Sequence, residues 1–261
     1  MKRTTYIMFT LIIAGIVLIA SLFSYVKIAG VECDSSWKNA PDIANEVEKS
    51  QLPRFTKLNI SYEYIDEEGN SRSGYVSGGI KMEVITDSLT AAPYVSLPVN
   101  FAKDINTSST GDTLNLTIVM AHRYYTTDKN SSPISVCLPP NSNFNTLIYS
   151  ADIPSFVTFR NLMADQFNAN FSDNVNLDLF DCRFDKANID DVNFVHLYTS
   201  KVDSMTIRGS DYSEIEYDSG VQVAATLLKG NDISYELTGV NNFIALPDSG
   251  SSIRITQIYN N

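Results

Sequence analysis

Residues 175–255 repeat one pattern five times: VNLDL (175–179), VHL (195–197), IEY (215–217), ISYEL (233–237) and IRI (253–255). Apolar and polar side chains alternate within each segment, which is the period of a β-strand with one buried face. The segments recur about every twenty residues. A fixed period of this length is typical of proteins built from stacked structural repeats.

Two sets of apolar residues keep this period. The first set has separations of 20, 18, 20 and 20 residues and consists of Leu177, Leu197, Ile215, Tyr235 and Ile255. The second set has separations of 18, 18 and 20 residues and consists of Ile189, Ile207, Ala225 and Ala245. Two apolar tracks with one repeat length predict an all-β fold, a β-solenoid whose coils hydrogen-bond to their neighbours and point alternate side chains inward. The alternative is an antiparallel β-sandwich, whose strands recur about every 8–12 residues.

The β-rich domain predicted from this pattern covers residues 55–261, and the coil repeats are clearest in 175–258. Residues 58–64 alternate in the same way, and residues 80–84 resume the alternation after a polar turn, which predicts a hairpin that caps one end of the solenoid. We expect the last strand, 253–259, to close the other end.

Residues 31–54 are predicted to link this domain to the amino-terminal segment. Ile43 and Val47 are four residues apart, and Pro41 stands at a first helical turn, so a short helix is expected over 42–49. No other helix is predicted beyond residue 50.

The amino-terminal segment contains twenty consecutive uncharged residues, 6–25. As a helix they would span about 30 Å, the thickness of the hydrocarbon core of a bilayer. Lys2 and Arg3 precede them, so the positive-inside rule places the amino terminus in the cytoplasm and the body in the periplasm or outside the cell. Residues 1–30 are therefore predicted to be a single-pass membrane anchor. A cleaved signal peptide and a lipidated Cys33 are the alternatives, and both also export the body.

Charge and cysteine content narrow the classes of function. The formal net charge is -11, and the first thirty residues contain none of the 30 acidic side chains. Such a body repels phosphate backbones, which argues against nucleic-acid binding. Cys33, Cys137 and Cys182 allow at most one intrachain disulfide. Cys137 and Cys182 are the conceivable pair, and two buried thiols are the alternative.

The candidate chemical groups are aspartates, one histidine and tyrosines. Aspartates crowd the stretch 178–191, and four of them are candidate calcium ligands: Asp181, Asp185, Asp190 and Asp191. Solvated turn residues are the alternative interpretation, because the Asp side chain bonds to nearby backbone in tight turns. The side chain of His196 faces opposite to those of its neighbours Val195 and Leu197, which predicts a surface histidine.

Tyrosines are the candidate ligand-binding residues, since their rings combine apolar area with a polar hydroxyl. Four lie at predicted corners or next to a charged residue: Tyr124, Tyr125, Tyr198 and Tyr212. Packing in the core is the alternative role for any of them.

Three stretches carry a family resemblance: residues 80–85, the G-D-x-L-x-L-x-I pattern at 111–118, and residues 202–207. Together they resemble the bacterial family of auto-transporter adhesins with a head GIN domain, which is common in Bacteroidetes, over roughly residues 55–258. The resemblance implies a right-handed β-helix-like body in the cell envelope and a role in adhesion. It supplies no catalytic residues.

We therefore predict a non-catalytic, membrane-anchored β-solenoid that binds an envelope protein, a glycan or another copy of itself, without a cofactor. One alternative is an envelope protein of signalling or regulation. The other is a carbohydrate-active enzyme that uses Asp190 or Asp191 as acid and base.

Overall fold

A computed structural model describes residues 42–66, 68–73, 76–77, 79–99, 105–120, 124–125, 132–140, 142–150, 155–172 and 175–258. In these residues the chain consists of strands and their connections, which confirms the all-β prediction. None of their segments is a helix long and apolar enough to cross a bilayer. The predicted membrane segment 6–25, together with Cys33, lies outside the described residues.

In chain order the strands are β1 (Val47–Gln51), β2 (Lys57–Ile65), β3 (Ser71–Ser73), β4 (Val76–Ser77), β5 (Ile80–Thr86), β6 (Tyr94–Pro98), β7 (Ile105–Thr110), β8 (Thr113–Met120), β9 (Tyr124–Tyr125), β10 (Ile134–Leu138), β11 (Thr146–Ser150), β12 (Ser155–Arg160), β13 (Met163–Phe171), β14 (Val175–Phe180), β15 (Arg183–Tyr198), β16 (Lys201–Tyr217), β17 (Gln222–Gly230), β18 (Ile233–Thr238), β19 (Phe243–Pro247) and β20 (Ile253–Ile258).

Parallel pairing arranges these strands in two faces. The first face contains, in order, β8, β2, β11, β13, the first halves of β15 and β16, β17 and β19. The second face contains β10, β5, β12, β14, the second halves of β15 and β16, β18 and β20. β15 changes face at an irregularity in its register between Asp190 and Phe194. The predicted solenoid-like arrangement is therefore present, and the antiparallel sandwich is wrong, because the ladders between coils are parallel.

Antiparallel strands flank the early coils. β7 pairs with β8 on the first face, and on the second face β6 pairs with β10 and β1 pairs with β6. The predicted hairpin is only half correct, because β2 pairs with β3 across the turn whereas β5 lies on the second face between β10 and β12. At the carboxyl-terminal end, β19 and β20 pair only with β17 and β18 among the described strands.

The short helix predicted over 42–49 is wrong. Residues Val47–Gln51 form β1 and pair with β6 along their whole length, from Val47 opposite Pro98 to Gln51 opposite Tyr94. Of the two apolar residues that predicted the helix, Ile43 is buried, but Val47 is 42% exposed on β1. Hydrogen bonds to the open edge of β6 satisfy the backbone instead.

The predicted tracks lie on the correct strands, but their register is shifted. Leu177 pairs with Val195, Val195 with Ile215, and Ile215 with Leu237, each two residues from the predicted partner. Tyr235 pairs with Ile255 as predicted. A shift of two keeps every side chain on its predicted side of the sheet.

For the second apolar track, the first predicted pair is correct and the second predicted pair is wrong. Ile189 pairs with Ile207 as predicted, but Ile207 pairs with Leu228. This shift of three residues turns Ala225 outward, and Ala225 is exposed whereas Leu228 is fully buried. The coil that contains β17 is longer than its neighbours, and a fixed repeat length cannot show this.

The core lies between the two faces. The rings of Phe167 and Phe184, in neighbouring coils, stack with centroids 4.8 Å apart, and Phe159 meets Phe167 edge to face at 5.0 Å. All three rings are buried. Aromatic pairs in these geometries add about 0.5–1.5 kcal/mol beyond the burial of their area.

The corners from the second face to the first are also stacked. Asn161, Asp181 and Thr199 stand at three successive corners, each with a left-handed backbone. The Thr199 hydroxyl donates to Asp181 Oδ1 at 2.6 Å. Next to this corner, Cys182 is fully buried as a free thiol, and Cys137 is a second buried free thiol, so the alternative of two buried thiols is confirmed for this pair.

Candidate binding surface

The outer side of the second face brings together side chains that are one coil apart. Asp178 on β14 lies opposite His196 on β15, and His196 lies opposite Glu216 on β16. Neighbouring strands are about 4.8 Å apart, so these three outward side chains form a continuous ladder. The surface position predicted for the His196 side chain is correct, although only 12% of it is exposed.

A second ladder beside the first one is a stack of planar groups. The rings of Phe180 and Tyr198 are 4.0 Å apart and nearly parallel, and the Arg160 guanidinium lies 4.2 Å from the Phe180 ring centroid. Arg160 is also 3.5 Å from Glu83. The His196 ring lies 3.7 Å from that of Tyr198. This stack holds both rings, and through them the imidazole, in fixed positions.

Next to the stack, the carboxylates of Glu214, Glu216, Asp218 and Glu236 form what we call the acidic patch. Glu214 lies opposite Glu236 on β18, and stretches 212–217 and 233–238 contain no lysine or arginine. Partial burial raises the pKa of Glu214, and the charges of Glu236 and Glu216 raise it further. The acidic patch therefore gathers four carboxylates, and Arg254 on β20, opposite Ser234, is a basic side chain on the neighbouring strand.

Burial and nearby carboxylates also raise the pKa values of neighbouring groups. Burial raises the pKa of Tyr198, and the carboxylates of Asp178, Asp218 and Glu216 add to this effect. Burial also raises the pKa of Asp178, against the opposing effects of His196 and Arg160. The side chains of this surface are thus electrostatically coupled across three coils.

The closest approach in this surface is between His196 Nε2 and Asp218 Oδ1, at 3.3 Å. With Glu216 these residues form a cluster in which one ligand atom from each lies within 4.8 Å of the other two. It is the only cluster of at least three His, Cys, Asp or Glu ligand atoms within this distance in the part of the chain that the structure describes.

Two of the predicted tyrosines belong to this surface. Tyr198 is a member of the stack, and Tyr212 is 49% exposed and donates its hydroxyl hydrogen to Glu236 Oε2 at 3.0 Å. Tyr124 and Tyr125 form β9, which pairs with β4 in a separate two-stranded sheet. The side chains of this pair lie outside the described part of the structure.

The four candidate calcium ligands occupy separate positions and share no such cluster among the described residues. Asp181 and Asp191 have left-handed backbones, at φ 51° and 59°, as the turn interpretation requires. Asp185 lies on the first face beside a cavity of about 280 Å³ that Arg183 and Lys201 also line. Calcium binding by these residues stays a prediction.

In the alternative prediction of a carbohydrate-active enzyme, Asp190 or Asp191 acts as acid and base. Asp190 lies opposite Arg208 in the register of β15 and β16, and Arg208 donates to Asp248 at 2.7 Å. The charges of both Asp190 and Asp191 act on Arg208 and help to raise its pKa. Both carboxylates thus lie near a guanidinium that is already paired with Asp248, and their use as acid and base stays a prediction.

A cleft of about 540 Å³ lies near the early coils, lined by Arg54, Phe55, Asp112 and Pro139 among others. Asp112 accepts a hydrogen bond from the Thr56 hydroxyl at 2.7 Å and lies 3.5 Å from Lys57. Thr56 lowers the pKa of Asp112 most, and Lys57 contributes. The Asp112 carboxylate is therefore already paired with a hydroxyl and an ammonium group.

Comparison with known proteins finds distant similarity to solved structures. No protein-family model and no curated protein matches the chain. Among solved structures, it is similar to a "putative adhesin" from Bacteroides fragilis NCTC 9343 at 12% identity and a TM-score of 0.45, over 82% of this chain and 94% of that one. A "putative adhesin" from Parabacteroides distasonis ATCC 8503 has 12% identity and a TM-score of 0.41 over the same shares.

A "putative lipid binding protein" from the same Parabacteroides strain has 11% identity and a TM-score of 0.38, over 81% of this chain and 96% of that one. These identities and scores describe a distant likeness. Membership of the family that the sequence resembles stays a prediction.

Proposed function

We propose that the protein is a non-catalytic binding protein of the cell envelope, held in the membrane by residues 6–25, and that its acidic patch binds a positively charged segment of another envelope protein. The observation that carries this proposal is the cluster of four carboxylates, Glu214, Glu216, Asp218 and Glu236, on one side of the solenoid. Like charges side by side cost free energy, and a cationic partner would remove that cost.

The charges on the first face differ from those of the acidic patch, which supports the acidic patch as the binding surface. Around its small cavity, Asp165, Asp185 and Asp203 alternate with Arg183 and Lys201, so that acidic and basic groups lie together. A region with mixed charges attracts neither cations nor anions strongly, whereas a patch of one sign steers an oppositely charged partner to it.

The stack beside the acidic patch supports a protein partner more than a glycan. A sugar ring needs an open aromatic face, but Phe180 is covered by Arg160 on one side and Tyr198 on the other. The stack instead makes a stiff border to the acidic patch. A rigid surface loses little conformational entropy when it binds.

The test is the affinity of the full-length chain, in detergent, for a ten-residue lysine peptide. The double variant Glu214→Gln/Glu236→Gln removes two charges from the acidic patch. We expect it to weaken binding about threefold to thirtyfold, because an exposed ion pair contributes about 0.3–1 kcal/mol. The matched control, Asp185→Asn/Asp203→Asn, changes the net charge equally on the first face and should leave the affinity nearly unchanged.

Equal losses in the two double variants would contradict the proposal, because they would show attraction to the net charge of -11 alone. A panel of neutral polysaccharides tests the glycan alternative. Binding that is lost with Tyr212→Ala and kept with Glu214→Gln/Glu236→Gln would favour a glycan over a cationic protein.

A further inference from the structure

Three ligand atoms of different residues converge at the edge of the acidic patch. His196 Nε2 and Asp218 Oδ1 are 3.3 Å apart, and a carboxylate oxygen of Glu216 lies within 4.8 Å of both. The donors come from two neighbouring coils, so the hydrogen-bonded register of β15 and β16 fixes their relative positions.

The separation of 3.3 Å is long for a charge-assisted hydrogen bond, which is usually about 2.7–2.9 Å. It equals the distance between two ligands of a tetrahedral metal ion. Bonds of about 2.0–2.2 Å to nitrogen and oxygen place tetrahedral ligands about 3.3–3.6 Å apart. A small inward movement of Glu216 would complete three corners of such a site.

The donor set selects the kind of metal. Imidazole is a ligand of Zn²⁺, Co²⁺, Ni²⁺ and Cu²⁺, whereas Ca²⁺ and Mg²⁺ prefer oxygen. Asp178 lies opposite His196 on the preceding coil, where metal-binding histidines commonly have a carboxylate neighbour. Asp218 is half exposed, which leaves a path for the ion from solvent.

We propose that His196, Glu216 and Asp218 form a binding site for one divalent transition-metal ion, with Zn²⁺ as the representative ion and water completing its coordination. The site has three protein ligands on a stiff sheet and an open position. The proposal uses the same face as the proposed function but does not depend on it, because Glu214 and Glu236 are outside the ligand set.

The test is titration of the metal-free full-length chain with Zn²⁺ by calorimetry, with Co²⁺ absorption as a second measurement of ligand geometry. We expect one Zn²⁺ per chain at this site. His196→Asn, Glu216→Gln and Asp218→Asn should each weaken that binding at least about tenfold, the smallest loss expected even for residues outside the ligand shell. Millimolar Ca²⁺ should not compete.

Asp203→Asn is the control, since it removes one carboxylate from the first face, outside both the ligand set and the acidic patch. It should keep the Zn²⁺ affinity and the Co²⁺ spectrum of the unchanged chain. Zn²⁺ binding that is absent, or that none of the three ligand substitutions alters, would overturn the proposal. Loss of lysine-peptide binding with retained Zn²⁺ binding, or the reverse, separates this site from the proposed function.

Discussion

At the scale of single residues, burial decides the chemistry of the thiol at a coil corner. Cys182 is fully buried, and its Sγ lies 3.4 Å from the Phe180 carbonyl oxygen and 3.6 Å from that of Phe159. Burial raises the pKa of Cys182 to about 12. The thiol is therefore protonated in the folded protein at any physiological pH, and an inert thiol is the expected result.

Alkylation with iodoacetamide at pH 8, followed by mass spectrometry of peptides, measures the reactivity of the Cys182 thiol. We expect Cys182 to stay unmodified in the native chain and to react fully in urea. Because the folded pKa is the higher one, the thiol favours folding below pH 9, and this contribution disappears as the pH rises from 9 towards 12. Native Cys182 that reacts as fast as in urea would show that the corner is open.

Two glycines with the same backbone conformation have different surroundings. Gly239 and Gly250 have φ of 72° and 84°, a region that alanine enters at a cost of about 1–2 kcal/mol. A Cβ on Gly239 would lie 2.3 Å from the Tyr217 carbonyl oxygen, whereas one on Gly250 would have nothing within 4 Å. A comparison of alanine variants at the two positions therefore separates the cost of backbone strain from the cost of steric overlap.

Gly250→Ala should lower the free energy of unfolding by about 1–2 kcal/mol, from strain alone. Gly239→Ala should lower it by about 1–3 kcal/mol more, because the overlap with backbone must be relieved by movement of the coil. Urea denaturation of both variants measures the difference. Equal destabilisation would mean that the turn at Gly239 adjusts freely.

At the scale of strands, the side of the sheet on which a leucine lies decides what it contributes. Leu228 on β17 is fully buried between the faces, whereas Leu246 on β19 is 50% exposed. Leu228 lies opposite Ala245, and Leu246 lies opposite Lys229 on the outer side of the same pair of strands. The comparison therefore contrasts an inward leucine with an outward one.

We expect Leu228→Ala to lower the free energy of unfolding by about 2–5 kcal/mol, and Leu246→Ala to lower it by less than about 1 kcal/mol. Chemical denaturation checks both. A large effect of Leu246→Ala would indicate that the last coil is covered by another part of the chain or by another molecule.

Strands could be predicted from alternation, but their register could not. The repeat identifies β14 to β20 because each keeps one apolar side, and side-chain parity survives when a coil changes by two residues. The irregularity in β15 and the longer coil at β17 change the partners without any sign in the repeat. The helix expected at 42–49 failed because an open sheet edge offers hydrogen bonds that a local pattern does not contain.

The binding surface could be predicted from the sequence only in part. His196 and Glu216 are twenty residues apart, one period of the predicted coil, so the repeat itself could have placed them side by side. Local spacing alone does not indicate a site, because no other histidine or cysteine is close to His196 in the sequence. Asp218 follows Glu216 by two residues, and its backbone N–H donates to the Leu197 carbonyl oxygen at 3.1 Å, so the same alternation could have added it.

At the scale of the whole molecule, charge is distributed unevenly between the two faces. The first face mixes acidic and basic groups around Asp185 and Arg183, whereas the second face gathers Glu214, Glu216, Asp218 and Glu236 beside an aromatic stack. Stacked coils turn each sequence period into a row, so that residues far apart in the chain present one surface. We expect the cationic partner to contact the acidic patch on the second face.

The most direct test is zero-length crosslinking of the ten-residue lysine peptide to the full-length chain with a carbodiimide. This reaction joins a lysine amine to a carboxylate in contact with it, and mass spectrometry then identifies the carboxylate. The account predicts crosslinks concentrated on Glu214, Glu216, Asp218 and Glu236. Crosslinks spread over all exposed acids, or concentrated on Asp185 and Asp203 of the first face, would contradict it.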